Sequence, residues 1–337
     1  RPQIIKASNF LKEFNKFELD IHLINSSQHY DKKMFKDFIT EFELNHFRFN
    51  SFEINKKKIF ISDFYNYLIK QIKIKKPEYL INFGDTNTTL VSSIAAKKSN
   101  IKLIHIESGL RSNNLSQQEE INRKIADTIS DLRICPTLSS LKNLRKEGLG
   151  NNSYFMGDLM FELFEQTHKK IKKNQINNSF IYMTLHRAEN VDDKIKVIEI
   201  CKFINTLNSK NYIIYLPLHH RLKKYKSILT KYINNLKIIG PLKYIDSLNL
   251  IYNSSFIITD SGGLQKESHF LKKKCYVLRN ESEWKEAIDQ GYTKLLEQEK
   301  FKTKKYKPYV YGKGKIASKI SKKIYQFILE DKNKPDN

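Results

Sequence analysis

The chain reads as an α/β protein made of two doubly wound, Rossmann-like halves. Three observations point there. Short apolar runs alternate with helix-compatible stretches over nearly all 337 residues, the order expected of parallel strand–helix–strand units. A polar, Lys- and Asn-rich stretch at 169–178 interrupts that order, which then restarts. Most polar clusters fall just after an apolar run, where open α/β sheets bind ligands.

In the first half the runs at 20–25, 79–83, 102–106, 132–135 and 153–156 predict strands. In the second half they lie at 180–184, 212–216, 236–239, 256–259 and 275–278. Helical segments at 88–98, 194–207 and 247–252 fall between them. The expected boundaries are 1–165 for the first half, 166–316 for the second, and 317–337 for a closing helix that packs back on the first. Two such halves facing across a cleft would line it from both sides.

Net charge is +24, a balance that raises nucleic acid or a membrane surface as a partner. The distribution argues against both. Only nine of the 60 basic residues are Arg, and the lysines form short scattered runs without interleaved aromatics. Such runs read as solvated faces, so no nucleic-acid partner is expected. No apolar run approaches the roughly 18–20 residues of a membrane span. Three scattered cysteines, Cys135, Cys201 and Cys275, fit neither a disulfide framework nor a metal site, so a reducing cytoplasm is the default. The sequence opens on Arg1 rather than Met, and a first strand upstream is expected to be missing.

In so Lys-rich a chain, Arg should persist where a planar, bidentate cation is required. Arg1, Arg111, Arg123, Arg187, Arg221 and Arg279 all fall in polar motifs. The most informative motif is Asp260-Ser261-Gly262-Gly263-Leu-Gln265-Lys-Glu267, directly after an apolar run. It reads as strand, tight turn and helix N-terminus. Glycines let a phosphate approach the backbone, and the free N–H groups and dipole of the helix favour an anion. Glu267, about one turn in, is placed to accept from ribose hydroxyls. An ordinary strand–helix turn would read the same way.

Gly84-Asp85-Thr86, Glu107-Ser108-Gly109-Leu110-Arg111, His186-Arg187, His219 and Arg279 each follow a predicted strand as well. Each has an ordinary structural explanation. Asp85 would serve as a helix N-cap, His105 as a satisfied core histidine, and Glu107 as half of an ion pair with Arg111. Glu119 and Arg123 sit i,i+4 on a helix, the spacing of a plain surface salt bridge. Together, on one rim of two sheets, the clusters point to a ligand site.

Their order resembles the non-hydrolysing UDP-N-acetylglucosamine 2-epimerase family over nearly the whole chain. The resemblance is carried by Arg1-Pro2-Gln3, Gln28-His29-Tyr30-Asp31, Gly84-Asp85-Thr86-Asn87 and His105-Ile-Glu107-Ser-Gly109-Leu-Arg111. It continues through Glu119-Glu120-Ile-Asn122-Arg123, Cys135-Pro136-Thr137, Gly157-Asp158, His186-Arg187-Ala-Glu189-Asn190 and Pro217-Leu-His219. It closes with the glycine motif at 260–267 and Arg279-Asn-Glu-Ser282-Glu283-Trp284-Lys-Glu286.

The resemblance implies a GT-B-like fold and inversion at C2 of a UDP-linked 2-acetamido sugar, with no metal and no nicotinamide cofactor. It implies Asp85, Glu107, Glu119 and His219 as the catalytic groups. Arg1, Lys6, Ser261, Gly262, Gly263 and Glu267 match UDP contacts, and His186, Arg187 and Arg279 are further contacts to phosphate or sugar. It also implies a homodimer and a role in surface-polysaccharide precursor synthesis.

Some positions depart from the family pattern. Gln117-Gln118 replaces a usual Pro, His220 another, and Asp31 a Gln of the effector site, so allosteric activation is not expected. Trp284 resembles the branch acting on UDP-2,3-diacetamido-2,3-dideoxyglucuronate. A UDP-sugar glycosyltransferase or a non-catalytic binder of the same architecture remains an alternative.

Overall fold

The computed structural model describes residues 3–27, 32–52, 60–172, 180–296, 301 and 304–333. The chain forms two compact units, Arg1–Leu163 with Tyr309–Asn337, and Phe164–Pro308. Arg1 and the segment Gln28–Asp31 fall outside the described residues.

The first unit holds strands β1 (Leu23–Asn25), β2 (Phe49–Ser51), β3 (Tyr79–Phe83), β4 (Lys102–Ile106), β5 (Leu132–Cys135) and β6 (Ser153–Phe155). The last four form one parallel sheet in the order β3-β4-β5-β6, while β1 and β2 form a separate parallel pair. Leu103, Ile104, Leu132 and Ile134 are almost wholly buried, as strands covered on both faces require. Helix Asn87–Lys98 follows β3 closely because it presents small residues, Ser92, Ser93, Ala95 and Ala96, inward. The buried Asn82 Nδ2 donates to the Thr89 carbonyl at 3.2 Å and to Ser93 Oγ at 2.8 Å, so β3 and that helix are held by polar bonds. The closing helix Ile316–Lys332 packs on helix Gln3–Phe14. Next to that contact, Tyr325 stacks on Phe17 at 4.5 Å, and the Ala317 N–H donates to Glu162 Oε2 at 2.8 Å.

The second unit holds β7 (Phe180–Thr184), β8 (Ile213–Pro217), β9 (Leu236–Ile239), β10 (Phe256–Thr259), β11 (Cys275–Val277) and β12 (Thr293–Leu295). All pair in parallel, in the order β12-β11-β10-β7-β8-β9. The chain winds outward from β7 through β9, then crosses to β10 and winds the other way. The switch point therefore lies between β7 and β10, where a ligand crevice is expected. Ile181, Met183, Val197, Ile204, Ile214, Leu216 and Ile258 form the fully buried core behind it.

The sequence expected a strand at 20–25, but only its last three residues pair, and β2 and β12 were not anticipated. No helix among the described residues is long and apolar enough to cross a membrane.

Candidate active site

The polar residues at the β7/β10 switch point are tied together by one buried carboxylate. Asp260 Oδ2 accepts from the backbone N–H groups of His186 at 2.9 Å and Arg187 at 2.7 Å. Its Oδ1 lies 3.2 Å from His186 Nδ1. Asn190 braces the same corner, donating to Asp260 at 3.3 Å and to the Leu278 carbonyl at 3.1 Å. Asp260 thus fixes the loop after β7 to the loop after β10.

Ser261 then caps helix Gly262–Phe270, its Oγ accepting from the Leu264 N–H at 3.4 Å. Gly262 sits close against its neighbours: an added Cβ would lie 2.5 Å from Glu283 Oε1, so that side chain would have to shift. That carboxylate also receives Arg279, whose Nη1 donates to Glu283 Oε2 at 3.1 Å. Arg187 approaches Glu283 at 3.9 Å. His186, Arg187, Ser261, Gly262, Gly263 and Arg279 are therefore gathered about one helix N-terminus. Glu267 is wholly buried farther along that helix.

Arg221 is different. It is exposed and pairs with Asp192 at 3.2 Å, a surface ion pair rather than part of this cluster.

Trp284 is buried, with Lys266 Nζ 4.1 Å from its ring. Its Nε1 would lie 3.1 Å from a Cβ at Gly262. The segment that carries Trp284 thus supports the glycine turn.

In the first unit two carboxylates lie at the ends of neighbouring strands. Asp85 follows β3 and Glu107 follows β4. Arg123 grips Asp85 Oδ2 through Nε at 3.1 Å and Nη2 at 2.8 Å. Its third nitrogen donates to the buried Glu120 at 2.7 Å. Glu120 in turn accepts from the Ser112 N–H at 2.8 Å and the Asn113 N–H at 3.2 Å. Asn122 holds the Asp85 carbonyl at 2.9 Å. The first turns of helix Gln118–Ile129 therefore set where Asp85 sits. Glu119, on that turn, is partly exposed.

Glu107 takes a left-handed φ of 76°, uncommon for a residue with a side chain and a form of strain that persists where surroundings enforce it. Lys6, from helix Gln3–Phe14, donates to its Oε2. The sequence suggested Arg111 as the partner of Glu107, and the structure corrects this. Arg111 turns inward to Asp127 Oδ2 at 2.7 Å and to Glu147 at 2.6 and 2.8 Å.

Asp127 is the hub that sequence reading missed. It is fully buried. It accepts from the Gly109 N–H at 3.0 Å and lies 2.8 Å from His105 Nδ1. His105 Nε2 reaches the Gly84 carbonyl at 2.8 Å. Asp127 is held below the usual carboxylate range: burial opposes this, but the bonds and charges of His105 and Arg111 outweigh it. The turns bearing Asp85 and Glu107 are thereby joined through Gly84, His105, Asp127 and Gly109. No sequence signal links residues 22 apart such as His105 and Asp127.

Gly109 makes a testable point. Its φ is 82°, and a Cβ there would lie 2.3 Å from the Ser140 carbonyl oxygen. Gly109→Ala should destabilise the first unit by roughly 2–5 kcal/mol, from backbone strain plus overpacking. Urea unfolding measures it, and an unchanged midpoint would contradict the geometry.

His219 follows β8, its ring 5.3 Å from that of His186 and 4.1 Å from that of His220. Burial pushes its pKa down to about 3, with the charges of His186 and His220 adding. His219 is therefore neutral at pH 7. Burial also pushes His269 down to about 4. Both values lie below the 6.5 of an ordinary histidine, so between them and 6.5 the unfolded chain binds protons that the folded chain does not. Stability of the second unit should be full above pH 6.5 and fall as pH drops toward 4. Denaturant midpoints against pH will show this, and His269→Gln should flatten part of the slope. An unchanged slope in that variant would exclude His269 as a source.

The cysteines take no part. All three are buried, and burial pushes Cys201 up to about 11 and Cys275 to about 12.

Comparison with known proteins bears on these two clusters. The family model for UDP-N-acetylglucosamine 2-epimerase matches residues 11–324. The chain belongs to that family. A UDP-N-acetylglucosamine 2-epimerase homolog of Methanococcus maripaludis is 35% identical, the match covering 95% of this chain and 96% of that protein. The UDP-2,3-diacetamido-2,3-dideoxy-D-glucuronate 2-epimerase of Pseudomonas aeruginosa is 32% identical, over 88% of this chain and 86% of that one. Among solved structures, the Methanocaldococcus jannaschii UDP-GlcNAc 2-epimerase in complex with UDP-GlcNAc and UDP superposes with a TM-score of 0.85. It is 29% identical and covers 97% of both chains. This epimerase-family chain is thus an isomerase of GT-B-like fold class, with two parallel-sheet units.

Proposed function

We propose that the chain inverts C2 of a UDP-linked 2-acetamido sugar by eliminating UDP and adding it back. The observation that carries this reading is the pair of carboxylates at adjacent strand ends, Asp85 and Glu107, each held by its own cation. One carboxyl group takes the C2 proton. The C2–H electron pair becomes a C1=C2 double bond, and the C1–O electrons leave with UDP. Re-addition of UDP at C1, with a proton delivered to C2 from the opposite face, gives the epimer. Atoms and electrons balance without a redox partner. Acid/base groups on both faces of the ring are required, and Asp85, Glu107, Glu119 and neutral His219 are the candidates.

The leaving diphosphate needs preorganised cationic and N–H donors. The cluster of Ser261, Gly262, Gly263, His186, Arg187 and Arg279 supplies them, with Glu267 for the ribose and Lys6 and Arg1 completing the set. The reading is supported by the UDP-GlcNAc and UDP complex of the structural relative. It sets the enzyme in the cytoplasm as a homodimer, feeding surface-polysaccharide synthesis.

A second substrate, the 2,3-diacetamido uronate, is favoured by the Pseudomonas aeruginosa relative. Trp284 does not decide between the two, being buried against Lys266 and the glycine turn. Proton NMR of reactions offered either UDP-sugar separates them. A manno-configured UDP product from one substrate is expected. Transfer of sugar to an acceptor would replace this reading with a glycosyltransferase.

A further inference from the structure

Lys266 is wholly buried on helix Gly262–Phe270, one turn beyond Gly262. Lysine is almost never fully buried, and taking an ammonium out of water is costly. Apolar side chains often replace buried charges without loss of stability. Packing by itself therefore does not account for Lys266.

Its surroundings are chemically specific. The Lys266 Nζ lies 4.1 Å from the ring of Trp284, the only tryptophan of the chain. That is within range of a cation–π contact, which an indole makes best. The ring is held in place from its own backbone. The Trp284 N–H donates to Ser282 Oγ at 3.1 Å, and Ser282 Oγ donates to Gln265 Oε1 at 2.6 Å. The indole also reaches the glycine turn, its Nε1 lying 3.1 Å from where a Cβ at Gly262 would stand. One ring thus bridges the ammonium and the turn. At a separation of about 10 Å and an effective dielectric constant of about 20, a unit charge changes affinity for a singly charged group roughly tenfold.

The charge balance of this corner gives the cation a task. Among the described residues, Asp260, Glu267, Glu283 and Glu286 are buried in its two loops and two helices. Arg187 and Arg279 face them. Two arginines against four carboxylates leave a field that opposes an incoming anion, and a third cation reduces it.

We propose that Lys266, fixed over Trp284, is a further determinant of anion affinity at the glycine turn: its buried charge strengthens binding of the diphosphate of a nucleoside diphosphate. This rests on the reading that the turn holds the diphosphate of UDP.

The test titrates the full chain and its variants with UDP, UMP and uridine, by calorimetry and NMR. Lys266→Met keeps an unbranched side chain and removes the charge. It should weaken UDP about tenfold, UMP by less, and uridine by less than about twofold. Lys266→Arg keeps a cation that stacks on aromatic faces, and should bring UDP affinity back to within about threefold of the unaltered chain. Trp284→Phe offers a poorer cation–π partner. It should cost about threefold for UDP when Lys266 is present and nothing in the Lys266→Met background, the mark of a coupled pair. Equal losses for UDP and uridine in Lys266→Met would make Lys266 a packing residue and overturn the proposal. Unchanged UDP affinity in that variant would also overturn it. If Lys266→Met does not fold, Trp284→Phe decides, and unchanged UDP affinity there overturns the proposal. Failure of the diphosphate reading looks different: the unaltered chain then binds UDP no better than uridine, and Lys266 loses its role with it.

Discussion

Replacing Asp85 with Asn is expected to slow exchange of the substrate C2 proton by about 10²- to 10⁴-fold, the usual contribution of a positioned acid or base. Asn keeps the shape of the side chain and leaves a carbonyl oxygen for Arg123, which now grips it at 2.8 and 3.1 Å. The turn should therefore stay in place while the proton acceptor is lost. UDP affinity should change less than about twofold, because Asp85 is not among the groups assigned to the diphosphate. Calorimetry for UDP and deuterium exchange for C2 separate the two effects. Exchange that survives the substitution would remove Asp85 from the chemistry. A matching loss of UDP binding would instead make it a binding residue.

The second large effect is structural. Asp127→Ala strips the shared acceptor from His105, Arg111 and the Gly109 N–H. It leaves cationic Arg111 buried with only Glu147 to pair it. Breaking a buried pair from one side typically costs about 3–5 kcal/mol, and that is the loss expected in unfolding of the first unit. Asp127→Asn, which keeps an acceptor oxygen, should cost less and serves as the soluble control. In that variant kcat should fall more than KM rises, since the turns bearing Asp85 and Glu107 loosen while the diphosphate cluster is untouched. An unchanged midpoint in the Ala variant would mean that the network is not what holds these turns.

Much of this was legible in the residues, for identifiable reasons. Strands β4, β5, β7 and β10 are mostly buried, and they appear in the sequence as short, largely apolar runs, broken only by His105 in β4 and Arg133 in β5. Strands β2 and β12 contain Asn-Ser and Thr-Lys, so three-residue edge pairing left no pattern to find. The glycine turn at Ser261 was readable because its capping serine and its two glycines stand side by side directly after a strand.

The supports of the site were not readable, because they are long-range. Asp260 clamps a loop more than 70 residues earlier. Arg111 meets Glu147 across 36 residues. Pairing Arg111 with Glu107 by proximity in sequence failed because Glu107 adopts a left-handed turn and faces Lys6 instead.

The central claim is that the chain makes and breaks the C2–H bond of a UDP-2-acetamido sugar while UDP departs and returns. The direct measurement is incubation with UDP-GlcNAc, and separately with the 2,3-diacetamido uronate, in deuterated water. Deuterium at C2 of both substrate and manno epimer, with UDP retained on the sugar, is the predicted result. Epimer or product formed with no deuterium at C2, or no exchange from either substrate in a chain that binds UDP, would contradict it.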